Sequence, residues 1–315
     1  MARVLVTTDY LRPGDEVDTL LRKHGHHVTY KPSSGPRHRA DAMALFDDIE
    51  GTIVASEPIT AEMLSHAATL KVIARSGVGY DSIDTAAATA RGIRVCNTAG
   101  VNHDAVAELT IALILMAARR LPIIVDGIRA GRWPRYAGHE LRGATLGVLG
   151  YGPSGRAVAQ LGVAFGMTVL VNTAHADTTA TGVRFVDRDT VIAAADYLTL
   201  HIRPNPTTHR MIGRDALHAM KTTAVLINTA RGSLVDEDAL AAALEAGQIA
   251  GAALDVVDVE PLPDDSPLRG RDDVVITSHL AGQTVEARAR AGIAAAHAVI
   301  DVLDGREPSH PVDRI

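Results

Sequence analysis

Four short motifs in this chain are built from residue types that do chemistry, and they occur in a telling order. The first, Gly150-Tyr151-Gly152-Pro153-Ser154-Gly155, is entered from the apolar run 146–149 and left through the helix-patterned run 157–161. A strand, a glycine turn and a helix in that succession make a place to lay a dinucleotide. Gly150 permits the turn, Gly152 lets the backbone approach a pyrophosphate, and Gly155 lets helix and strand pack closely. Pro153 suits a first helical turn, and Ser154 and its neighbours offer N–H groups at the positive helix end. Next come Arg231 in Asn228-Thr229-Ala230-Arg231-Gly232, Glu260 in Asp258-Val259-Glu260-Pro261, and His279 in Ser278-His279-Leu280-Ala281-Gly282. A guanidinium is a planar fork for a carboxylate. An imidazole moves a proton near neutral pH, and a carboxylate beside it orients the ring and favours its charged form. Together these are the parts needed to pass a hydride between a nicotinamide and a 2-hydroxy acid.

Elements must bring those motifs together. At 315 residues the chain is long for one core, and about 150 residues per domain predicts two. Only 3% of residues are aromatic although 47% are hydrophobic, so Ala, Val, Leu and Ile carry the packing, as in parallel sheets covered by helices. Short Val/Ile/Leu runs alternate with helix-patterned stretches throughout, the mark of βα units. Strands are predicted at 4–7, 27–30, 52–55, 72–75 and 94–96, with helices at 61–68 and 85–90, as one flavodoxin-like unit. A helix over 104–121 follows, with Asp104 as N-cap and Pro122 as its stop. A second set of strands at 145–149, 168–171, 197–201, 224–228, 251–255 and 274–277 alternates with helices. A last helix, 284–303, is predicted to return to the first domain. The expected fold is α/β: two doubly wound parallel-sheet domains with a cleft between them. Residues 1–100 plus 284–315 form a substrate domain, and 101–283 a Rossmann dinucleotide-binding domain.

Composition narrows the partners. The net charge of −6 and the absence of long Lys/Arg blocks argue against nucleic acid. The longest apolar run, 109–118, is too short to span a bilayer, and the N-terminus lacks a signal-peptide pattern, so a cytoplasmic protein is expected. Cys96 is the single cysteine and reads as a core residue in a reducing compartment. No metal site is expected.

From about residue 50 to 304 the chain resembles the D-isomer-specific 2-hydroxyacid dehydrogenases, in particular their phosphoglycerate dehydrogenase and hydroxypyruvate/glyoxylate reductase branches. The stretches that carry this are Arg75-Ser76-Gly77-Val78-Gly79-Tyr80-Asp81, the glycine loop, the segment 228–237, the segment from Ala253-Leu254-Asp255 to Glu260-Pro261-Leu262, and Ser278 to Gly282. The resemblance implies that Arg231, Glu260 and His279 are catalytic, and that Asp255 holds the nicotinamide carboxamide. Thr229, Ala230, His201, Ala281 and Gly282 would line the cofactor, and the N–H groups of residues 76–78 would cradle the substrate carboxylate. It also implies a homodimer gripped partly through the helix matching 104–121.

Two features separate this chain from the usual pattern. The strand after the glycine helix ends at Asn172, where an NAD site normally carries Asp or Glu for the ribose hydroxyls. At Arg203 the related enzymes usually have an uncharged residue. An acid lost and a base gained predict NAD or NADP as cofactor, with NADP modestly preferred, although 173–175 supply no basic pair. Arg75, Asn102 and Arg135 are candidate substrate contacts. Arg75 matches an arginine that helps bind a phosphate in phosphoglycerate dehydrogenases, and the alternative is a structural ion pair. The chain stops soon after its last helix, so feedback through a C-terminal regulatory domain is not expected. A phosphoglycerate dehydrogenase-like activity is the first expectation and a hydroxypyruvate/glyoxylate reductase the alternative. A dinucleotide-sensing corepressor and a phosphite- or formate-oxidising relative are readings of other classes.

Overall fold

Runs of three to five residues, fully buried in central strands such as Gly51–Val54 and Val225–Asn228 and partly exposed at the sheet edges, form two all-parallel sheets. The computed structural model describes residues 1–32, 39–177 and 179–312. The chain divides into two units, Met1–Asn102 with Gly282–Ile315, and His103–Ala281.

The first unit holds β1 (Arg3–Val6), β2 (His27–Tyr30), β3 (Gly51–Val54), β4 (Val72–Arg75) and β5 (Arg94–Cys96), in the sheet order β2-β1-β3-β4-β5. This is the flavodoxin-like order. Its early helices are α1 (Glu16–Lys23), α2 (Arg39–Met43), α3 (Ala61–His66) and α4 (Thr85–Ala90). Helix α1 has no counterpart in the sequence-based prediction, yet its start was legible: Asp15 caps it by accepting from the Asp18 N–H. Cys96 is fully buried, and its strand forms an antiparallel bridge to Pro311.

The second unit opens with α5 (His103–Ala118) and α6 (Leu121–Arg129). These two replace the single helix predicted over 104–121. Asp104 lies in the first turn rather than at the cap, and the break falls at Arg120, in the left-handed region at φ 51°. Pro122 opens α6 instead of stopping α5, because a first turn has no use for the missing N–H.

The rest of this unit is β6 (Thr145–Leu149), α7 (Pro153–Ala164), β7 (Thr168–Asn172), β8 (Val183–Phe185), α8 (Arg188–Ala194), β9 (Tyr197–Leu200), α9 (Arg214–Ala219), β10 (Val225–Asn228), α10 (Glu237–Glu245), β11 (Gly251–Leu254) and β12 (Val274–Ile276). The seven strands run β12-β11-β10-β9-β6-β7-β8. Strand order reverses between β6 and β9, and in such sheets ligands bind outside the carboxyl ends at that reversal. The last helix, α11 (Val285–Leu303), packs on β3, β4 and α1 of the first unit. No helix among the described residues is long and apolar enough to cross a membrane.

Register decides what this sheet presents at its edge. Leu149 pairs with Asn172 on one side and Leu200 on the other, Leu200 with Asn228, Asn228 with Leu254, and Leu254 with Ile276. These six strand ends form one row, and the residues just past them are Gly150, Thr173, His201, Thr229, Asp255 and Thr277. Parallel pairing therefore carries segments far apart in sequence to a single edge.

Candidate active site

The glycine loop leaves β6 at that edge. Gly150 has φ +97°, and a Cβ there would strike the His201 carbonyl; a Cβ on Gly155 would strike the Gly150 carbonyl. Both positions are closed by the protein's own backbone. Gly152 differs: its φ is −72° and a Cβ would meet nothing within 4 Å. Nothing within the chain requires glycine there, so the open space in front of Gly152 fits close approach by a pyrophosphate. Pro153 lies in the first turn of α7, whose first internal bond runs from the Arg156 N–H to the Gly152 carbonyl at 2.9 Å. The preceding N–H groups of Ser154 and Gly155 thus remain for an anion. These residues fit a dinucleotide.

The end of β10 is braced from within. Asn228, fully buried, accepts from the Ala230 N–H at 3.0 Å and donates to the Arg231 carbonyl at 2.8 Å. Thr229 shares a 3.0 Å hydrogen bond with Thr110 of α5. Arg231 is partly buried, and its Nη1 donates to the Ala230 carbonyl at 2.7 Å. A Cβ on Gly232 would collide with the Val257 carbonyl, so this turn packs directly on the segment that leads to Glu260.

Asp255 is the second anchor. Its carboxylate, 1% exposed, accepts from the Thr277 hydroxyl at 2.6 Å, the Leu280 N–H at 2.9 Å and the Ala281 N–H at 2.8 Å. Its carbonyl accepts the His279 N–H at 2.8 Å. Asp255 therefore holds the histidine loop, and three of its carboxylate's acceptor sites are taken by the protein before any contact with a carboxamide. His279 adopts φ 54° within that loop, and its Nδ1 lies 2.7 Å from Glu260 Oε2. Glu260 Oε1 accepts from the Val257 N–H at 3.3 Å. Partial burial pushes the Glu260 carboxyl up, but the bond to His279, the two positive neighbours His279 and Arg231, and the Val257 N–H outweigh it and leave it below its ordinary value. Exposed apolar side chains, Val259 and Leu280, flank the pair. With Nδ1 turned to the carboxylate, Nε2 is the nitrogen left to exchange a proton.

Several expected contacts are otherwise engaged. The Asn172 amide donates to the Val186 carbonyl at 3.0 Å, which uses one of its two N–H donors and leaves the other and the oxygen for a ribose. The His201 ring lies 3.0 Å from the Thr199 hydroxyl, and loss of hydration pushes its imidazole down to about 4; what it turns to the glycine loop is its backbone carbonyl. The Ala281 N–H is taken by Asp255. Arg203 and Arg135 are exposed.

In the first unit, the Ser76 N–H bonds to the Val54 carbonyl and the Gly77 N–H to the Arg75 carbonyl, both at 2.9 Å. The expected cradle at 76–78 is thus reduced to Val78 by the loop's own hydrogen bonds. Arg75 folds over the loop: Nη1 donates to the Ser76 carbonyl at 2.6 Å, and a Cβ on Gly77 would lie 2.5 Å from that nitrogen. Asn102 packs on Gly282, where a Cβ would come 2.5 Å from its amide nitrogen.

The sequence pattern of the D-isomer specific 2-hydroxyacid dehydrogenase, NAD binding domain, matches residues 111–281. A glyoxylate reductase of Thermofilum pendens is 37% identical over 99% of this chain and 94% of its own length. A D-3-phosphoglycerate dehydrogenase of Archaeoglobus fulgidus is 38% identical over 92% of this chain, which spans 56% of that protein. The crystal structure of a Thermus thermophilus protein, 38% identical, superposes with a TM-score of 0.91 over 98% of this chain and 99% of its own.

Proposed function

The chain belongs to the D-isomer-specific 2-hydroxyacid dehydrogenases, NAD-dependent oxidoreductases, and within that family we propose that it reduces a short, unphosphorylated 2-oxo acid such as glyoxylate or hydroxypyruvate. A bound nicotinamide supplies the hydride. In this reading Arg231 holds the substrate carboxylate with its planar fork. His279, fixed through Nδ1 by Glu260, gives the proton at Nε2 to the carbonyl oxygen as the alcohol forms, and takes it back in the oxidative direction. Asn228 and Asp255 position these groups from behind.

The observation that carries the substrate assignment is the 2.6 Å bond from Arg75 to its own loop. An arginine engaged with the Ser76 carbonyl braces that loop, and a small monoanion needs no second cation. A phosphorylated substrate is the second reading, supported by the resemblance at Arg75 and by the phosphoglycerate dehydrogenase relative. Steady-state rates on glyoxylate, hydroxypyruvate and phosphohydroxypyruvate decide between them. Arg75→Ala is expected to impair all three substrates alike if the arginine is a brace. A loss confined to the phosphorylated one returns the assignment to the second reading. Absence of turnover with every 2-oxo acid, despite dinucleotide binding, returns it to a sensor.

Both NADH and NADPH are proposed to serve, with NADP(H) tolerated because Asn172 carries no charge and Arg203 is exposed. We also read the protein as a homodimer. Support comes from α6 and the segment after it, rather than from α5: Leu121, Val125 and Ile128 recur at helical spacing and are exposed, as are Tyr136 and the 80% exposed Trp133 that follow, and Pro134 packs against Gly127. Light scattering on the wild type and on Trp133→Asp tests this, a dimer becoming a monomer being the expected result.

A further inference from the structure

The rim of the dinucleotide site contains a charged pair that neither the glycine motif nor the strand-end position reveals. Tyr151, second residue of the glycine loop, is 7% exposed and meets Phe185 of β8 edge to face, with centroids 5.1 Å apart at 89°. On that same ring lies the guanidinium of Arg156, 5.1 Å from the centroid and one turn into α7. Its Nη1 donates to Asp177 Oδ2 at 2.7 Å. Asp177 is held in turn by the N–H and hydroxyl of Thr179, at 3.0 and 2.6 Å. The neighbouring Asn172 amide reaches Val186, next to Phe185. Ring, guanidinium and carboxylate therefore gather beside the carboxyl end of β7, the strand that follows the glycine helix. In this fold that is where the adenosine ribose lies, with an acid selecting its 2′-hydroxyl or an arginine accepting a 2′-phosphate.

We propose that Arg156 and Asp177 are the specificity-determining pair for the cofactor: Arg156 is the ligand for a 2′-phosphate, and Asp177 restrains it. The inference rests on the dinucleotide reading above and deepens it. Asp177 supplies, from five residues further along, the negative charge missing at Asn172. A 2′-phosphate must displace that carboxylate from Arg156 and meets its repulsion, whereas a ribose hydroxyl meets neither. Tyr151 keeps the guanidinium at the rim by stacking, so loss of Asp177 leaves Arg156 in place for phosphate.

Calorimetry with ADP-ribose and 2′-phospho-ADP-ribose tests this without turnover, alongside kcat/KM for NADH and NADPH. Asp177→Asn is expected to tighten the 2′-phosphorylated ligand by about five- to ten-fold and to leave ADP-ribose unchanged. Arg156→Ala is expected to weaken only the phosphorylated ligand, and the double variant to behave as Arg156→Ala. Arg156→Lys, which keeps charge without the planar fork, should fall between. Equal shifts for both ligands in Asp177→Asn, or full 2′-phosphate affinity in Arg156→Ala, would overturn the assignment. If the 2′-phosphate effect appears in Arg203→Ala instead, the determinant is Arg203. If wild type binds neither ligand, the dinucleotide reading itself fails; if it binds both but reduces no 2-oxo acid, only the substrate assignment fails.

Discussion

Two stretches of one sheet edge are built differently. At the ends of β10 and β11, buried polar side chains hold the backbone: Asn228 staples the turn of Arg231, and Asp255 gathers the loop of His279. At the end of β7 the polar groups are mostly at the surface and hold one another, as Arg156 and Asp177 do with half of the arginine exposed. Buried hydrogen bonds are costly to break and fix a geometry, whereas exposed ion pairs contribute little and are easily exchanged. Proton transfer needs the first kind of construction. Choice between two cofactors that differ by one phosphate can be left to the second.

The largest effect is expected at the histidine. His279→Ala should lower kcat by about 10²–10⁴ while calorimetry finds ADP-ribose affinity unchanged. Retention of more than about a tenth of the rate would remove the imidazole from the mechanism.

Glu260→Gln should lower kcat by up to about 10⁴-fold, because a neutral amide neither supports the charge of the ring nor holds its working tautomer. Its acid behaviour sharpens the point. Glu260 lies below its ordinary value when folded, so its contribution to stability is present above the unfolded carboxylate value. It is lost as pH falls through the lower folded value. Acid unfolding of the amide variant should lack that drop; identical curves would make the pair energetically neutral.

Asn228→Ala tests the buried anchors directly. Loss of both bonds should destabilise the fold by about 1–3 kcal/mol in denaturant titrations and reduce kcat/KM through a mispositioned Arg231. Arg203→Ala at the rim should change stability by less than about 0.5 kcal/mol. Equal effects at the two sites would erase the distinction.

A pH dependence is expected between the two regions, at His201. Its folded imidazole titrates at about 4, below the unfolded value near 6.5, so the unfolded chain takes up the proton first. Stability is full above pH ~6.5 and falls as pH drops toward 4, by about 2 kcal/mol at pH 5. His201→Gln should flatten that slope, and an unaltered slope would place the acid sensitivity elsewhere.

Alternation of apolar runs with helical patterns made the α/β class and the two sheets legible, and the motifs marked the glycine loop, Arg231, Glu260 and His279. These signals are local: a glycine turn or a proline at a helix start reflects backbone conformation within a few residues. The pairing of Glu260 with His279 was also anticipated, because a resemblance carried it. The early helix at Asp15 is not among the predicted elements although its cap is visible, and Pro122, predicted to stop a helix, starts one, since proline ends one helix and opens the next by the same chemistry.

Residue types and their spacing mark which groups have the chemistry and which turns present them. Which of those groups are already spent is settled by the folded arrangement. The N–H groups of Ser76 and Gly77, the amide of Asn172 and the carboxylate of Asp255 each find partners within the fold. Arg156 meets Asp177 across 21 positions. The physical reason is that a strand end has no neighbours until its register is set. Once Leu149, Leu200, Asn228 and Leu254 align, donors and acceptors from distant segments are brought within reach of one another, and what remains unpaired is what can act on a ligand.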